Sequence, residues 1–450
     1  MEVQMQSVYD ASVRDHRAEA ELEALFDRHR QTGIVLQRIY PPAAFPRVRS
    51  RLGGLPQLPQ AFEWPMGESY GEPAPMHFLA QIDCAELPRV GSPMPEQGML
   101  FFFVVNDEEQ IWDTDAPQQR ARVLYAQEVP ADQQERQPPA QLRPILDVVS
   151  ADSPHLPPGW LLPGEDGPRV HVRWPLVARR MDTWPEEMPE AVSGMDWEAY
   201  HRRWEELRLG AAVAATGLMP SAERIRRWEQ PLSHSCRFPG DWLRQQRDFP
   251  QAGILVDRLA RFVGNARRRP GRTFVAHPDV LEWVDYARRL GWDKVPDEAT
   301  RETFRHWLFD QVGDAPTETA LASYEMSTVF TRGLLAAIAY AAAVPEVAQL
   351  FPWGWYRDLE GEHLPYRDSH RKHPDGRTRC AETRLHQMLG HVPSLHGMRL
   401  DEEEVCLLRL AYDPAIDLEF GDCGHATFWI ARDDLAMRNF DRVVAMVESH

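Results

Sequence analysis

The pattern of apolar and polar positions changes twice along the 450-residue chain. Residues 12–31 place Val13, Leu22, Leu25 and Phe26 among Arg and Glu. That spacing predicts an amphipathic helix, with Gly33 as its stop. Residues 34–65 carry six prolines and the Gly53-Gly54 pair, which predict turns and short extended pieces. Two strands then stand out, His77–Asp83 and Met99–Val105. The second is almost continuously apolar and aromatic, as a strand covered on both faces would be. Arg122–Tyr125 is a third strand candidate, and residues 130–168 read as an exposed connection rich in Pro, Gln, Asp and Gly.

From about residue 185 the spacing becomes helical. Trp197–Leu207, Ser221–Glu229, Asp241–Gln246, Ala252–Phe262, Pro278–Leu290, Glu298–Gln311 and Thr317–Ala343 each carry spaced apolar residues. The last 70 residues return to strands: Cys406–Ala411, a Gly421–Gly424 turn, Ala426–Ala431, a helical turn at Asp433–Leu435 and a closing strand at Val443–Val447. The fold class expected is α+β, with a mainly-β, two-lobed, pseudo-duplicated and roll-like core and a large α-helical insertion. The expected divisions are an N-terminal helix (1–33), a first β lobe (34–184), the insertion (185–380) and a second β lobe (381–450).

The two ends echo one another. FLAQID, Gly98 and LFFFVVND form one unit; LLRLAYD, Gly424 and ATFWIARDD form the other. Each has an apolar strand ending in Asp (Asp83, Asp413), a loop closing on glycine and an aromatic strand. The same stretches carry a family resemblance. Arg51–Pro56, Phe62–Pro65, Phe78–Asp83 and Gly98–Phe103 make the first block. His386–His391, Leu407–Leu410, Gly421–Gly424, Phe428–Ile430 and Asp434–Asp441 make the second. In order and spacing they resemble the YwqG-like family, over roughly 34–175 and 380–448. That resemblance implies a mainly-β roll with two similar halves and implies no known activity. The chain departs from the pattern in its long middle, at Cys423 and at Leu395-His396.

Composition narrows the function classes. With 43% hydrophobic and 10% aromatic residues, including 15 Trp, a real core is affordable and global disorder is rejected. The net charge of −18 argues against nucleic acid and suits either solubility or the steering of a basic partner. Residues 221–300 run against this trend, with 15 Arg and Lys to 11 Asp and Glu. Lys294 and Lys372 are the only lysines; with 38 prolines this points to a GC-rich bacterial source. Five scattered cysteines without CxxC spacing argue for reduced thiols and a cytoplasmic setting. The polar N-terminus is no signal peptide. The longest apolar run, Leu334–Val344, is too short for a membrane span, which needs roughly 20 residues.

Candidate chemistry is sparse. Cys423 and His425 stand two apart, a spacing for a thiol and its base, but the glycines at 421 and 424 also fit a turn around a small buried Cys. His363, His370, His373, His386, His391 and His396 cluster with Cys380, without a zinc-site spacing; solvated loop histidines are the plainer account. Arg267–Arg269 with Arg272 forms a basic knot, for a phosphate or acidic partner or as a solvated helix end. Gln81 and Asp83 share a strand face, which could line a groove or bond neighbouring backbone. Trp64 is either a core plug or a platform. The binding candidates are Trp64, Gln81, Asp83, His386, Gln387 and Asp422; no catalytic residue, metal or cofactor is assigned. The expected function is non-catalytic binding, as an immunity-type protein neutralising a basic partner toxin. The rival is a metal- or thiol-dependent hydrolase using His386, His391, Asp422 or Cys423.

Overall fold

The structure is a computed structural model. It describes residues 19–38, 48–105, 117–143, 173–189, 197–217, 385–394, 403–413 and 424–448, with short pieces and single positions outside these ranges.

A helix over 19–29, α1, leads directly into strand β1, Gln31–Arg38. Thus Gly33 does not stop the helix; it lies inside a strand. The run Ile34-Val35-Leu36 is stiff and β-branched at its start, and it is almost wholly buried. Glycine is required at 33 by proximity, because an added Cβ would sit 2.7 Å from the Leu389 carbonyl oxygen.

Further strands are β2 (Arg51–Leu52), β3 (Met66–Ser69), β4 (Glu72–Pro75), β5 (His77–Asp83), β6 (Met99–Val104) and β7 (Ala121–Ala126). They continue with β8 (Trp174–Thr183), β9 (Arg367–Lys372), β10 (Thr378–Cys380), β11 (His386–Met388), β12 (Glu404–Ala411), β13 (His425–Ala431) and β14 (Val444–Glu448). The helices among the described residues are few: α2 (Pro117–Arg120), α3 (Trp197–Thr216) and α4 (Arg432–Ala436) join α1. Two small ribbons, β3–β4 and β9–β10, stand beside one antiparallel ten-stranded sheet ordered β14-β13-β12-β11-β1-β8-β2-β5-β6-β7.

That order places two four-stranded runs on either side of the central pair β1–β8. On one side Arg51 lies opposite Pro175; on the other, Gln387 lies opposite Val35. Two residues onward from Val35 and from Pro175 stand Gln37 and Val177, and these face each other across the central pair. The register slips in β5 between Phe78 and Ala80 and in β12 between Cys406 and Leu408.

The sheet curls until its halves meet. Trp174, Leu52, Ala80, Phe102 and Val123 form one row across it, and Leu408, Phe428 and Ala445 form another. Phe102 meets Phe428 edge-on, with ring centroids 5.2 Å apart. The shared sheet-rich body expected of the two ends is therefore present. At the seam Tyr125 of β7 packs on Phe440, centroids 5.3 Å apart, and α2 lies against β14. The sheet is nearly closed. β6 is buried along its whole length because its alternate residues have different covers. Met99, Phe101 and Phe103 pack outward with Leu58, Trp64, Met76 and Phe78.

Of the helices expected after 217, two have described positions, and these are helical: Glu282, Tyr286 and Arg289 in one, and Ala299, Thr300 and Thr303 in the other, where the Asp297 carboxylate accepts the Thr300 N–H at 2.8 Å. The remaining ones and the basic knot at Arg267–Arg272 lie outside the described residues. The helix α3, described along its whole length, runs nine residues beyond the Leu207 end that spacing predicts. It packs through Tyr200 and Trp204 on Leu25, Phe26 and Trp184, with Phe26 stacked on Tyr200 at 4.7 Å. No helix among the described residues is long and apolar enough to cross a membrane.

Candidate functional site

Three arrangements concentrate the polar chemistry. The first is a pair of matched cradles on the outer face of the sheet, one per half, and the second is a network inside it. In the N-terminal half Arg51 of β2 lies opposite Gln81 of β5. The Arg51 guanidinium donates to the Leu55 carbonyl and reaches Glu135 at 2.9 Å. Gln81 donates to the Arg49 carbonyl at 2.9 Å and accepts from the Gln57 N–H at 3.0 Å. Burial lowers the Arg51 pKa to about 10, with Arg173 nearby adding to the effect. In the C-terminal half Gln387 lies opposite Arg409. Gln387 donates to the Leu389 and His391 carbonyls, at 3.0 and 2.9 Å, and Arg409 donates to the Leu385 carbonyl at 3.1 Å. Arg409 also approaches Nδ1 of His425 at 3.4 Å, and the Nε2 of His425 meets Glu448 at 2.7 Å. Glu448 accepts in turn from the Ser394 hydroxyl at 2.5 Å.

On the other face of β11, among the residues enclosed by the sheet, His386 accepts the Ala411 N–H at Nδ1, 3.2 Å away. Its proton therefore sits on Nε2, which donates to Asp413 at 3.1 Å. Arg38 pairs with the same carboxylate oxygen at 2.6 Å and lies over the Trp174 ring, 4.5 Å from its centroid. Asp413 and Arg38 are buried together, so the charges compensate where neither is stable alone. Burial holds the His386 pKa below the ordinary histidine value, although Asp413 opposes the shift.

The third arrangement is a ring stack on α3. Trp197, His201, Trp204 and Arg208 recur at helical spacing and share one face. Trp197 and His201 stack with their planes inclined at 29° and their centroids 4.6 Å apart. His201 and Trp204 follow at 4.9 Å, and the Arg208 guanidinium closes the inner end 4.4 Å above Trp204. Trp204 is pinned by its indole N–H to the Trp184 carbonyl at 3.1 Å. Glu186 and Glu205 approach the two nitrogens of His201, at 4.0 and 3.6 Å. The outer end, Trp197, is 51% exposed.

The sequence-selected binding residues do not converge. Trp64 is a core plug: it packs against Phe103 and donates its indole N–H to the Met76 carbonyl at 2.9 Å. Gln81 lies beneath the loop through Gln57. Asp83 caps the short turn Cys84–Glu86 through the Ala85 N–H, and burial raises its pKa despite Arg49 at 3.4 Å. His386 and Gln387 are neighbours in sequence but point to opposite faces of β11. Asp422 and Cys423 lie outside the described residues, as do His363, His373 and His396; His370 lies on β9. His391 is half-buried and bonded to the His29 carbonyl at 3.1 Å, and burial lowers its pKa. Cys84 and Cys406 are buried free thiols with pKa pushed up to about 12, so each is an inert packing group at neutral pH. Among the described residues no group of three or more His, Cys, Asp and Glu side chains is arranged to hold a metal ion.

Sequence reading missed Arg38, Arg409 and the α3 stack. The stack had a signal, since 197, 201, 204 and 208 follow the helix period. Arg38 had none, because its partner stands 375 positions away.

The class these features define is a mainly-β protein built on a nearly closed antiparallel sheet with buried polar networks in its wall. A family profile described as "Domain of unknown function (DUF1963)" matches residues 50–207 and 295–448, well over half of the chain, and the protein belongs to that family. A comparison with curated proteins returned no match.

Proposed function

We propose that the protein is a non-catalytic binding protein that captures a basic protein partner through the outward face of α3. The observation that carries this reading is the α3 stack. A half-exposed Trp at the end of a rigid ring column, flanked by carboxylates, is the composition of an interface anchor rather than of a folded core. The chain's net charge of −18 adds attraction for a basic surface. Groups with catalytic potential are engaged elsewhere: both ring nitrogens of His386 have partners, and burial suppresses the thiolate of Cys84 and Cys406.

The finer reading is a cytoplasmic, bacterial, YwqG-like protein of immunity type, whose partner is a basic toxin. The order of the sequence blocks supports the YwqG-like affiliation. In this reading residues 185–380 are a mainly α-helical insertion carrying partner recognition; α3 is its longest described element, and the β9–β10 ribbon stands at its end. We also read the halves as one duplicated unit, which the matched cradles support.

Immobilised full-length protein, challenged with lysate at rising salt, tests the binding reading. The expected result is a basic partner retained at low salt, released at high salt and lost in Trp197→Ala. Absence of any partner at every salt concentration overturns it. Co-expression with a captured partner tests the immunity reading, which fails if growth is not protected.

A further inference from the structure

Resting on the binding reading, the geometry of α3 points to the chemistry of what it holds: we propose that the open face of Trp197 seats an arginine side chain. The argument begins at the other end of the same column. There the Arg208 guanidinium carbon lies over Trp204, 4.4 Å from the ring centroid, so the column already ends in a guanidinium on its inner side. The inner cation is covalently supplied; the outer ring, Trp197, presents the same indole chemistry to solvent. The chain repeats the pairing inside the sheet, where Arg38 covers Trp174 at 4.5 Å. A planar guanidinium matches an indole face by stacking as well as by charge, whereas an ammonium contributes charge alone.

The surrounding charges favour a cation. Glu198 adjoins Trp197 in the first turn of α3. Glu186, with a third of its side chain exposed, reaches the neighbouring His201 ring through Oε1. Its other oxygen accepts the Ser394 N–H at 3.2 Å. One ring, that of His201, separates Glu186 from Trp197. Rigidity adds to the fit. Trp204 is fixed by its bond to Trp184, and α3 is fixed by Tyr200, whose hydroxyl donates to the Pro185 carbonyl at 2.6 Å. A ring held in place loses little freedom when a ligand stacks on it.

The test uses full-length protein carrying 15N-labelled tryptophan. The indole N–H signal of Trp197 is the one absent from Trp197→Phe. The probes are three short peptides, acetyl-Gly-X-Gly-amide with X as arginine, lysine or citrulline; citrulline keeps the planar shape and removes the charge. The expected result is a saturable shift of the Trp197 signal with the arginine peptide and binding at least about threefold weaker with lysine. No saturable shift is expected with citrulline, and Glu186→Gln should weaken the arginine response. An unmoved Trp197 signal, or equal responses to arginine and citrulline, overturns the proposal. The two readings fail separately. A partner still captured by Trp197→Ala removes the arginine seat and leaves binding intact. An arginine response with no partner captured at any salt removes the binding reading instead.

Discussion

The two four-stranded halves of the sheet solve one packing problem with different side chains. In both, the short inner strand is followed by two residues at positive φ: Gly53 and Gly54 at +54° and +68°, Leu389 and Gly390 at +60° and +67°. In both, the residue just before the cradle's inner member, Arg51 or Gln387, accepts a backbone N–H: Ser50 from Asp83 at 3.0 Å, His386 from Ala411 at 3.2 Å. In both, the facing strands place a side-chain donor on a carbonyl just before or after the turn. The residues are exchanged, however. Arg51 and Gln81 in one half become Gln387 and Arg409 in the other. What is kept is the bond to the backbone, since a buried carbonyl needs a donor of any kind. What is free is which strand carries the charge. The halves also differ inside the sheet, where only the C-terminal side holds the Arg38–Asp413–His386 network.

The largest test of that asymmetry is Asp413→Ala. It leaves Arg38 buried with its countercharge removed, and should cost about 3–5 kcal/mol by urea denaturation. Asp83→Ala in the other half removes a turn cap and should cost only about 1 kcal/mol. Equal costs would mean the halves are held alike.

Phe102→Ala and Phe428→Ala should each cost about 3–5 kcal/mol, since each ring is wholly buried. The double mutant should fall short of the sum by about 0.5–1.5 kcal/mol, because the rings touch. Strict additivity would deny that the halves meet there.

Acid should also separate them. His77 of β5 is held at about 4 by burial, against the model-peptide value of 6.5. Its folded pKa is lowered, so the unfolded chain binds the proton first as pH falls. Stability should therefore decline between pH 6.5 and 4, by on the order of 3 kcal/mol from this residue. His77→Gln should remove that share of the slope and leave the shares of His386 and His391, whose shifts have the same direction. A slope unchanged by His77→Gln would place the sensitivity wholly in the C-terminal half.

Arg51→Gln with Gln81→Arg copies one cradle's pattern into the other. Gln81→Arg alone crowds two guanidiniums, and the double variant should recover at least about 1 kcal/mol by thermal denaturation. No recovery would show that the exchange depends on neighbours such as Glu135.

The smallest contrast concerns the turn glycines. Gly390→Ala would set a Cβ 2.5 Å from the Thr183 hydroxyl and 3.0 Å from the Gly33 backbone; Gly54→Ala would meet the Arg173 side chain alone, at its Cβ, 2.9 Å away. The first should cost about 1 kcal/mol more than the second in the same assay.

The amino-acid sequence by itself determined β5, β6, β7, β12, β13 and β14. Their apolar runs are local, and period-two alternation or full burial is written in consecutive residues. Sequence likewise carried the echo between the ends and the start of α3. It did not determine β8, whose Trp174–Thr183 run mixes two arginines and an aspartate with its apolar residues, or β11, which is three residues long. Those strands exist because β1 and β2 supply their missing partners. Tertiary structure alone decided which polar residues meet. Arg38 on β1 is far in the chain from His386 on β11 and from Asp413 just beyond β12, and pairing them requires the register of β1 on β11, which no short window of residues contains. The Gln81 and Asp83 face fitted a groove or bonds to neighbouring backbone equally for the same reason: a strand pattern says which residues share a face, and only packing, which here gives the backbone bonds, says what covers it.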